Sequence, residues 1–177
     1  MNKGINLILG GSRSGKSQRA EQIAAQAEGD VIYIATYQSS QTHDPEMADR
    51  IKIHQEQRPS HWQTVENEFD LEQILKNHMG KTLLIDCLTL WLGYQQGETA
   101  STNSVLEKLR TFLQAAKEAK AHVLIVSNEV GMGLVPLGKE NREYRDLCGW
   151  ANQLVAKIAD NVEFVAAGIP LTLKSAL

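Results

Sequence analysis

The stretch Gly10-Gly11-Ser12-Arg13-Ser14-Gly15-Lys16-Ser17 decides the fold of this chain. It matches the pattern G-x-x-x-x-G-K-S, in which backbone N–H groups of a glycine-rich turn surround phosphate oxygens. The apolar segment Ile5–Leu9 before it predicts a strand, and Ser14–Glu28 has the apolar spacing of a helix. This strand–loop–helix setting is the one in which the pattern holds the phosphates of a nucleoside triphosphate.

Each residue type in the loop has a physical reason. Glycine is needed where a Cβ would block the phosphate or forbid the backbone angles. Lys16 is expected to reach the outer phosphates and to act in catalysis, and the Ser17 hydroxyl is expected to bind Mg²⁺. The predicted nucleotide-binding residues of the loop are Gly10, Gly11, Ser12, Arg13, Ser14, Gly15, Lys16 and Ser17.

Strand and helix patterns alternate along the rest of the chain, which predicts a mostly parallel sheet with helices on both faces. We expect one domain over residues 1–177, with the α/β three-layer sandwich of a RecA-like P-loop NTPase and a C-terminal antiparallel element. Asp86 ends an apolar strand and is the expected second Mg²⁺ ligand. The predicted strands are 31–36, 82–86, 122–127, 162–167 and 171–174, and the predicted helices are 44–57, 69–78, 103–120 and 140–159.

Composition excludes several classes of protein. The 177 residues carry a formal charge of −3, which gives no indication of a nucleic-acid partner. No window reaches the 18 apolar residues of a membrane span, and two distant cysteines do not form a disulfide framework. These features predict a cytoplasmic protein with reduced thiols.

A histidine lies on the predicted helix 44–57. Met47, Ile51 and His54 share one helical face, so His54 is expected to point toward protein. Spacing alone favours a half-buried structural histidine over a catalytic one.

Several segments together resemble one enzyme family. They are GGSRSGKS, YIAT, MADRIKIHQEQRPSHWQTVE, LLIDCLTLWL, SNEVGMGLVP, YRDLCGWANQ and AAGIPL, in this order from about Leu7 to Lys174. They resemble the bifunctional adenosylcobinamide kinase/adenosylcobinamide-phosphate guanylyltransferases of cobalamin biosynthesis. The phosphate loop is common to many proteins, whereas the histidine-containing helix and SNEVGMG are much more specific.

The resemblance implies two reactions on one chain. The first phosphorylates the aminopropanol hydroxyl of adenosylcobinamide with ATP or GTP, and the second transfers GMP from GTP to that phosphate and releases pyrophosphate. In the family the guanylyl group is carried by a histidine, which implies this role for His54. Family members often have a second histidine one position earlier, where this chain has Ile53. The family also forms homotrimers.

The resemblance implies further nucleotide contacts. Tyr37 stands where family members often have serine, and Glu66 matches an acid that reads the guanine edge or the ribose, with an ordinary solvated loop residue as the alternative. Asn128 and Glu129 face either the corrinoid or the γ-phosphate, unless they only make local turn contacts. The implied nucleotide-binding residues outside the phosphate loop are Thr36, Tyr37, Gln38, Gln55, Glu56, Gln57, Arg58, Glu66 and Asp86.

Two other functions stay open from the sequence. One is a simple small-molecule kinase in which His54 is structural. The other is a GTP-binding regulatory switch, although the Asn-Lys-x-Asp sequence that reads guanine in such switches is absent.

Overall fold

The computed structural model describes residues 4–37, 59–98 and 101–176. Its strands form one seven-stranded sheet. The strands are β1 Ile5–Gly10, β2 Val31–Ala35, β3 Gln63–Glu66, β4 Thr82–Asp86, β5 His122–Asn128, β6 Asn161–Ala166 and β7 Ile169–Lys174. The helices are α1 Lys16–Ala25, α2 Leu71–Asn77, α3 Leu88–Glu98, α4 Thr102–Glu118 and α5 Lys139–Ile158.

The sheet has the order β3-β2-β4-β5-β1-β6-β7. Strands β1 to β6 pair in parallel, and only β7 is antiparallel to its neighbour. The carboxyl ends of the six parallel strands therefore lie along one edge of the sheet, which is where ligands bind in open α/β sheets. Strand β5 separates β1, which enters the phosphate loop, from β4, which ends at Asp86.

The core lies on both faces of the sheet. Neighbouring residues of β1 point to opposite faces, so that Leu7 packs with one buried cluster and Ile8 with the other. Helix α1 covers the Ile8 face through Ala20, Ile23 and Ala24. The buried side chains of the other four helices cover the opposite face, which confirms the predicted sandwich.

The C-terminal strands form the predicted hairpin. Ala167 and Gly168 connect β6 to β7, and both have positive φ angles, of 50° and 78°. Two positive φ values match a type I′ turn, which suits the twist of a two-residue hairpin. Lys174 extends from β7 to the carbonyl oxygens of Ala156, Lys157 and Ala159 at the end of α5.

Two elements were absent from the prediction, and several boundaries differ by one to three residues. Strand β3 and helix α3 were not predicted, and α3 follows β4 directly. Helix α1 begins at Lys16, two residues later than expected, because Gly15 is left-handed with φ 93°. The predicted helix 44–57 lies outside the described residues. None of the helices in the described part of the chain is long and apolar enough to cross a membrane.

Candidate nucleotide site

The loop between β1 and α1 has the backbone of an anion site. Arg13 and Gly15 have positive φ angles, of 56° and 93°. Gly15 is the N-cap of α1, so no side chain of the N-cap residue caps the first turn. The positive end of the helix and its unpaired N–H groups are therefore available for a phosphate.

Two parts of the chain hold this loop in place. The Gly168 N–H, at the tip of the C-terminal hairpin, donates to Ser14 O at 2.8 Å, and the Glu129 N–H after β5 donates to Gly10 O at 3.1 Å. Gly10 has no room for a side chain, since a Cβ there would lie 2.6 Å from Val165 O and against the Ser14 side chain. The loop is thus fixed by strands on both sides of β1.

Lys16 is buried at the base of the loop, with 9% of its surface exposed. Its Nζ donates to Gly11 O at 3.0 Å, so the ammonium folds back over the loop. Burial lowers the pKa of Lys16 below its ordinary value, while the nearby Asp86 carboxylate opposes that shift. A bound phosphate would compensate the buried charge and accept hydrogen bonds from the remaining Nζ–H groups.

The Ser14 hydroxyl is a second sign that the loop fits a ligand. Its Oγ is buried and has no hydrogen-bond partner among the described residues. Buried hydroxyls without a partner are uncommon and call for an explanation. A phosphate oxygen in the loop would give this hydroxyl an acceptor.

Asp86 ends β4 and is held by β2. The Tyr33 hydroxyl donates to Asp86 Oδ2 at 2.9 Å, and the peptide bond from Asp86 to Cys87 is cis. One carboxylate, the Ser17 hydroxyl and phosphate oxygens form the oxygen-rich set that Mg²⁺ prefers in nucleotide sites. No cluster of three or more acidic, histidine or cysteine ligands occurs within residues 4–37, 59–98 and 101–176.

Thr36 connects the ends of β2 and β4. Its hydroxyl donates to Cys87 O and accepts from the Cys87 N–H, both at 2.8 Å, and only 2% of the residue is exposed. These contacts fix the chain after Asp86. Contact of Thr36 with the nucleotide stays a prediction, as does contact of Tyr37, which is half-buried at the end of the described range.

The structure does not bring every predicted residue to the phosphate loop. Glu66 ends the edge strand β3, which is four strands from β1. At about 4.8 Å between neighbouring strands, this is a distance of about 19 Å, so Glu66 would have to contact a different part of a ligand. The predicted site residues that lie outside the described ranges are Gln38, His54, Gln55, Glu56, Gln57 and Arg58.

Sequence reasoning missed Tyr33 and the connection from β5. Tyr33 lies in a continuous apolar strand, so the sequence predicts an ordinary core residue at this position. The Asn128 side chain donates to Thr89 Oγ1 at 2.9 Å, and Asn152 donates to Asn128 O at 3.1 Å. These hydrogen bonds fix the end of β5 beside the phosphate loop. The only indication of them in the sequence was that Asn128 follows a predicted strand.

A phosphate loop after β1, an acid at the end of β4 and a strand between them define a P-loop nucleotide-binding protein of the RecA-like kind. A KaiC-like protein from Pyrococcus horikoshii shares this fold, with a TM-score of 0.52, 17% identity, and coverage of 92% of this chain and 70% of that one. The chain belongs to the cobinamide kinase / cobinamide phosphate guanyltransferase family, whose model matches residues 6–173. This confirms the resemblance inferred from the sequence.

Curated relatives match nearly the whole chain. The bifunctional adenosylcobalamin biosynthesis protein CobP of Pseudomonas aeruginosa is 41% identical over 179 residues, covering 96% of each chain. The bifunctional adenosylcobalamin biosynthesis protein CobU of Salmonella typhimurium is 35% identical over 182 residues, covering 95% of this chain and 98% of the relative.

Proposed function

We propose that this protein phosphorylates adenosylcobinamide with ATP or GTP and then transfers GMP from GTP to the new phosphate, giving adenosylcobinamide-GDP and pyrophosphate. The observation that carries the proposal is the phosphate loop with buried Lys16 and the hydroxyl of Ser14, in a chain that belongs to this family. Both reactions begin with a triphosphate on this loop. The cytoplasm supplies both nucleotides and is the proposed location.

The first reaction needs the γ-phosphoryl group held in line with the substrate hydroxyl. Backbone N–H groups of the loop and the α1 N-terminus bind the phosphates, and Lys16 stabilises charge on the transferred group. Ser17 and Asp86 would hold Mg²⁺, which supplies further charge neutralisation when bound. Tyr33 keeps the Asp86 carboxylate in one orientation.

In the second reaction we assign the nucleophile to His54. A neutral imidazole nitrogen attacks the α-phosphorus of GTP, the bond to the pyrophosphate oxygen breaks, and a guanylyl-histidine forms. A phosphate oxygen of adenosylcobinamide phosphate then displaces the imidazole and takes the GMP group. One difficult displacement becomes two easier ones.

We further propose guanosine contacts from Gln38, Gln55, Glu56, Gln57, Arg58 and Glu66, and a homotrimeric assembly. Exposed apolar side chains support an assembly, since Leu134 and Leu137 are 97% and 98% exposed and Ile169 is 71% exposed on the edge strand. Light scattering tests it, and a mass corresponding to the 19.6 kDa single chain would contradict it.

The decisive experiment uses GTP labelled on the α-phosphate, with Mg²⁺. We expect an acid-labile GMP adduct on the peptide that contains His54, and none in His54→Ala. His61→Ala is the matched control, because His61 is exposed and should not affect labelling. Phosphorylation of adenosylcobinamide without any adduct would favour the simple kinase, and GTP hydrolysis without either product would favour the regulatory switch.

A further inference from the structure

Glu129 lies beside the phosphate loop without a role in the function proposed above. It directly follows β5, the strand between β1 and β4. Asn128 is in register with Gly10, and the Glu129 N–H donates to Gly10 O at 3.1 Å. Its backbone is therefore one strand spacing, about 4.8 Å, from the first residue of the phosphate loop.

The side chain of Glu129 is held in place. Its Oε1 accepts the Gly131 N–H at 2.6 Å, which orients the carboxylate. The residue before it is fixed by Thr89 and Asn152. Glu129 is half-buried at the carboxyl edge of the sheet, so it is both ordered and accessible to a ligand.

Other carboxylates of the described strands are occupied or distant. Asp86 accepts from Tyr33 and is the proposed Mg²⁺ ligand. Glu163 is 5% exposed and pairs with Arg19 through bonds of 2.8 and 2.9 Å. Glu66 is four strands from β1. Among the carboxylates at the ends of the described strands, this leaves Glu129 beside the phosphate loop.

The two proposed reactions differ in their need for a base. An alcohol must lose its proton as its oxygen attacks phosphorus, and a positioned carboxylate accelerates this transfer. A phosphate monoester, whose second pKa is about 6, is already largely ionised at neutral pH and has no such proton to lose. A base beside the γ-phosphate therefore assists only the first reaction.

We infer that Glu129 is the general base of the phosphorylation step, an inference that rests on the proposed function. The hydroxyl oxygen forms a bond to the γ-phosphorus, and its proton moves to the Glu129 carboxylate. The bond between the γ-phosphorus and the bridging oxygen breaks, and its electron pair leaves with the nucleoside diphosphate. The proton on Glu129 returns to solvent after product release.

The test compares Glu129→Gln with the unchanged protein in two separate assays. The amide oxygen of glutamine still accepts from the Gly131 N–H, so the loop keeps its contact. We expect kcat for phosphorylation of adenosylcobinamide to fall about 100-fold or more. GMP labelling of the protein and its transfer to adenosylcobinamide phosphate should stay within about threefold, because neither step uses the base.

Glu140→Gln is the control, since Glu140 is exposed at the start of α5. A variant that phosphorylates at the normal rate, or that loses both reactions equally, overturns the inference. Absence of both reactions in the unchanged protein would instead overturn the proposed function, and this inference with it.

Discussion

Tyr33 and Asp86 are joined by a hydrogen bond of 2.9 Å that crosses from β2 to β4. The Tyr33 side chain extends from the apolar strand β2, and its hydroxyl contacts the Asp86 carboxylate proposed to hold Mg²⁺. Partners that orient a ligating carboxylate commonly affect metal affinity or activity by 10- to 100-fold. The pair is therefore a direct test of the metal site.

Tyr33→Phe removes this hydroxyl and keeps the packed ring. We expect the Mg²⁺ concentration for half-maximal phosphorylation to rise about tenfold, because the carboxylate is no longer fixed. A titration of initial rate against Mg²⁺ measures it. Tyr94→Phe is the matched control, since Tyr94 stacks on Phe69 away from the loop; an equal response in the two variants would remove Tyr33 from the metal site.

The two glycines that begin the phosphate loop should respond oppositely to a methyl group. Gly10→Ala would push against Val165 O and the Ser14 side chain, whereas a Cβ at Gly11 meets nothing within 4 Å. Strain of about 1–3 kcal/mol in Gly10→Ala should weaken nucleotide binding about tenfold or more. Gly11→Ala should bind within about twofold of the unchanged protein. Calorimetric titration with a non-hydrolysable triphosphate measures both, and equal binding by the two variants would contradict the described loop.

The sequence predicted those parts of the molecule that depend on local patterns. The phosphate loop and strand 82–86 were located correctly, because glycine spacing and continuous apolar runs are local signals. Strand β3 was missed because QTVE is short and mostly exposed. Helix α3 was missed because its apolar and polar residues are not sorted by face: Leu90 is 39% exposed, whereas the polar residues Thr89 and Gln95 are buried. This mixture weakens the one-sided pattern by which a surface helix is recognised.

Contacts between distant residues were not predictable from one sequence. The bond from Gly168 to Ser14 joins residues at opposite ends of the chain. Tyr33 meets Asp86 only because β2 and β4 are neighbours. The order of the strands in the sheet determines both contacts. A sequence motif, in contrast, identifies only residues that are close together along the chain.

Asp160 links the edge of the sheet opposite the nucleotide site to α4. Its carboxylate accepts from the Ile5 N–H at 2.9 Å and from Lys117 Nζ at 2.8 Å. Burial acts to raise the pKa of Asp160, but the Lys117 and Ile5 hydrogen bonds outweigh it, and the net pKa is lowered. A lowered pKa gives stability that is present above the unfolded value, about 3.9, and is lost as pH falls through the folded value.

Asp160→Asn should therefore lower the free energy of unfolding by about 0.5–1 kcal/mol at pH 7, a value discounted for partial exposure. The difference from the unchanged protein should decrease as the pH falls below the unfolded value of about 3.9 and through the lower folded value. Urea unfolding at several pH values measures it. Asp30→Asn is the control, because the Asp30 side chain is 76% exposed and its pair with Lys81 is 3.4 Å long; a pH-independent loss in Asp160→Asn would exclude the charge as its cause.

Cys87 and Cys148 are expected to be unreactive in the folded protein. Both are free and buried. Burial raises the pKa of Cys148 to about 11 and also raises that of Cys87. At pH 8 about one Cys148 thiol in a thousand would be a thiolate, which is the nucleophilic form.

A disulfide reagent should modify neither thiol within minutes, and both after unfolding in denaturant. Gln153→Cys places a thiol on the exposed side of α5 and should react at once, so rapid labelling of the unchanged protein would contradict the buried positions described for its two cysteines.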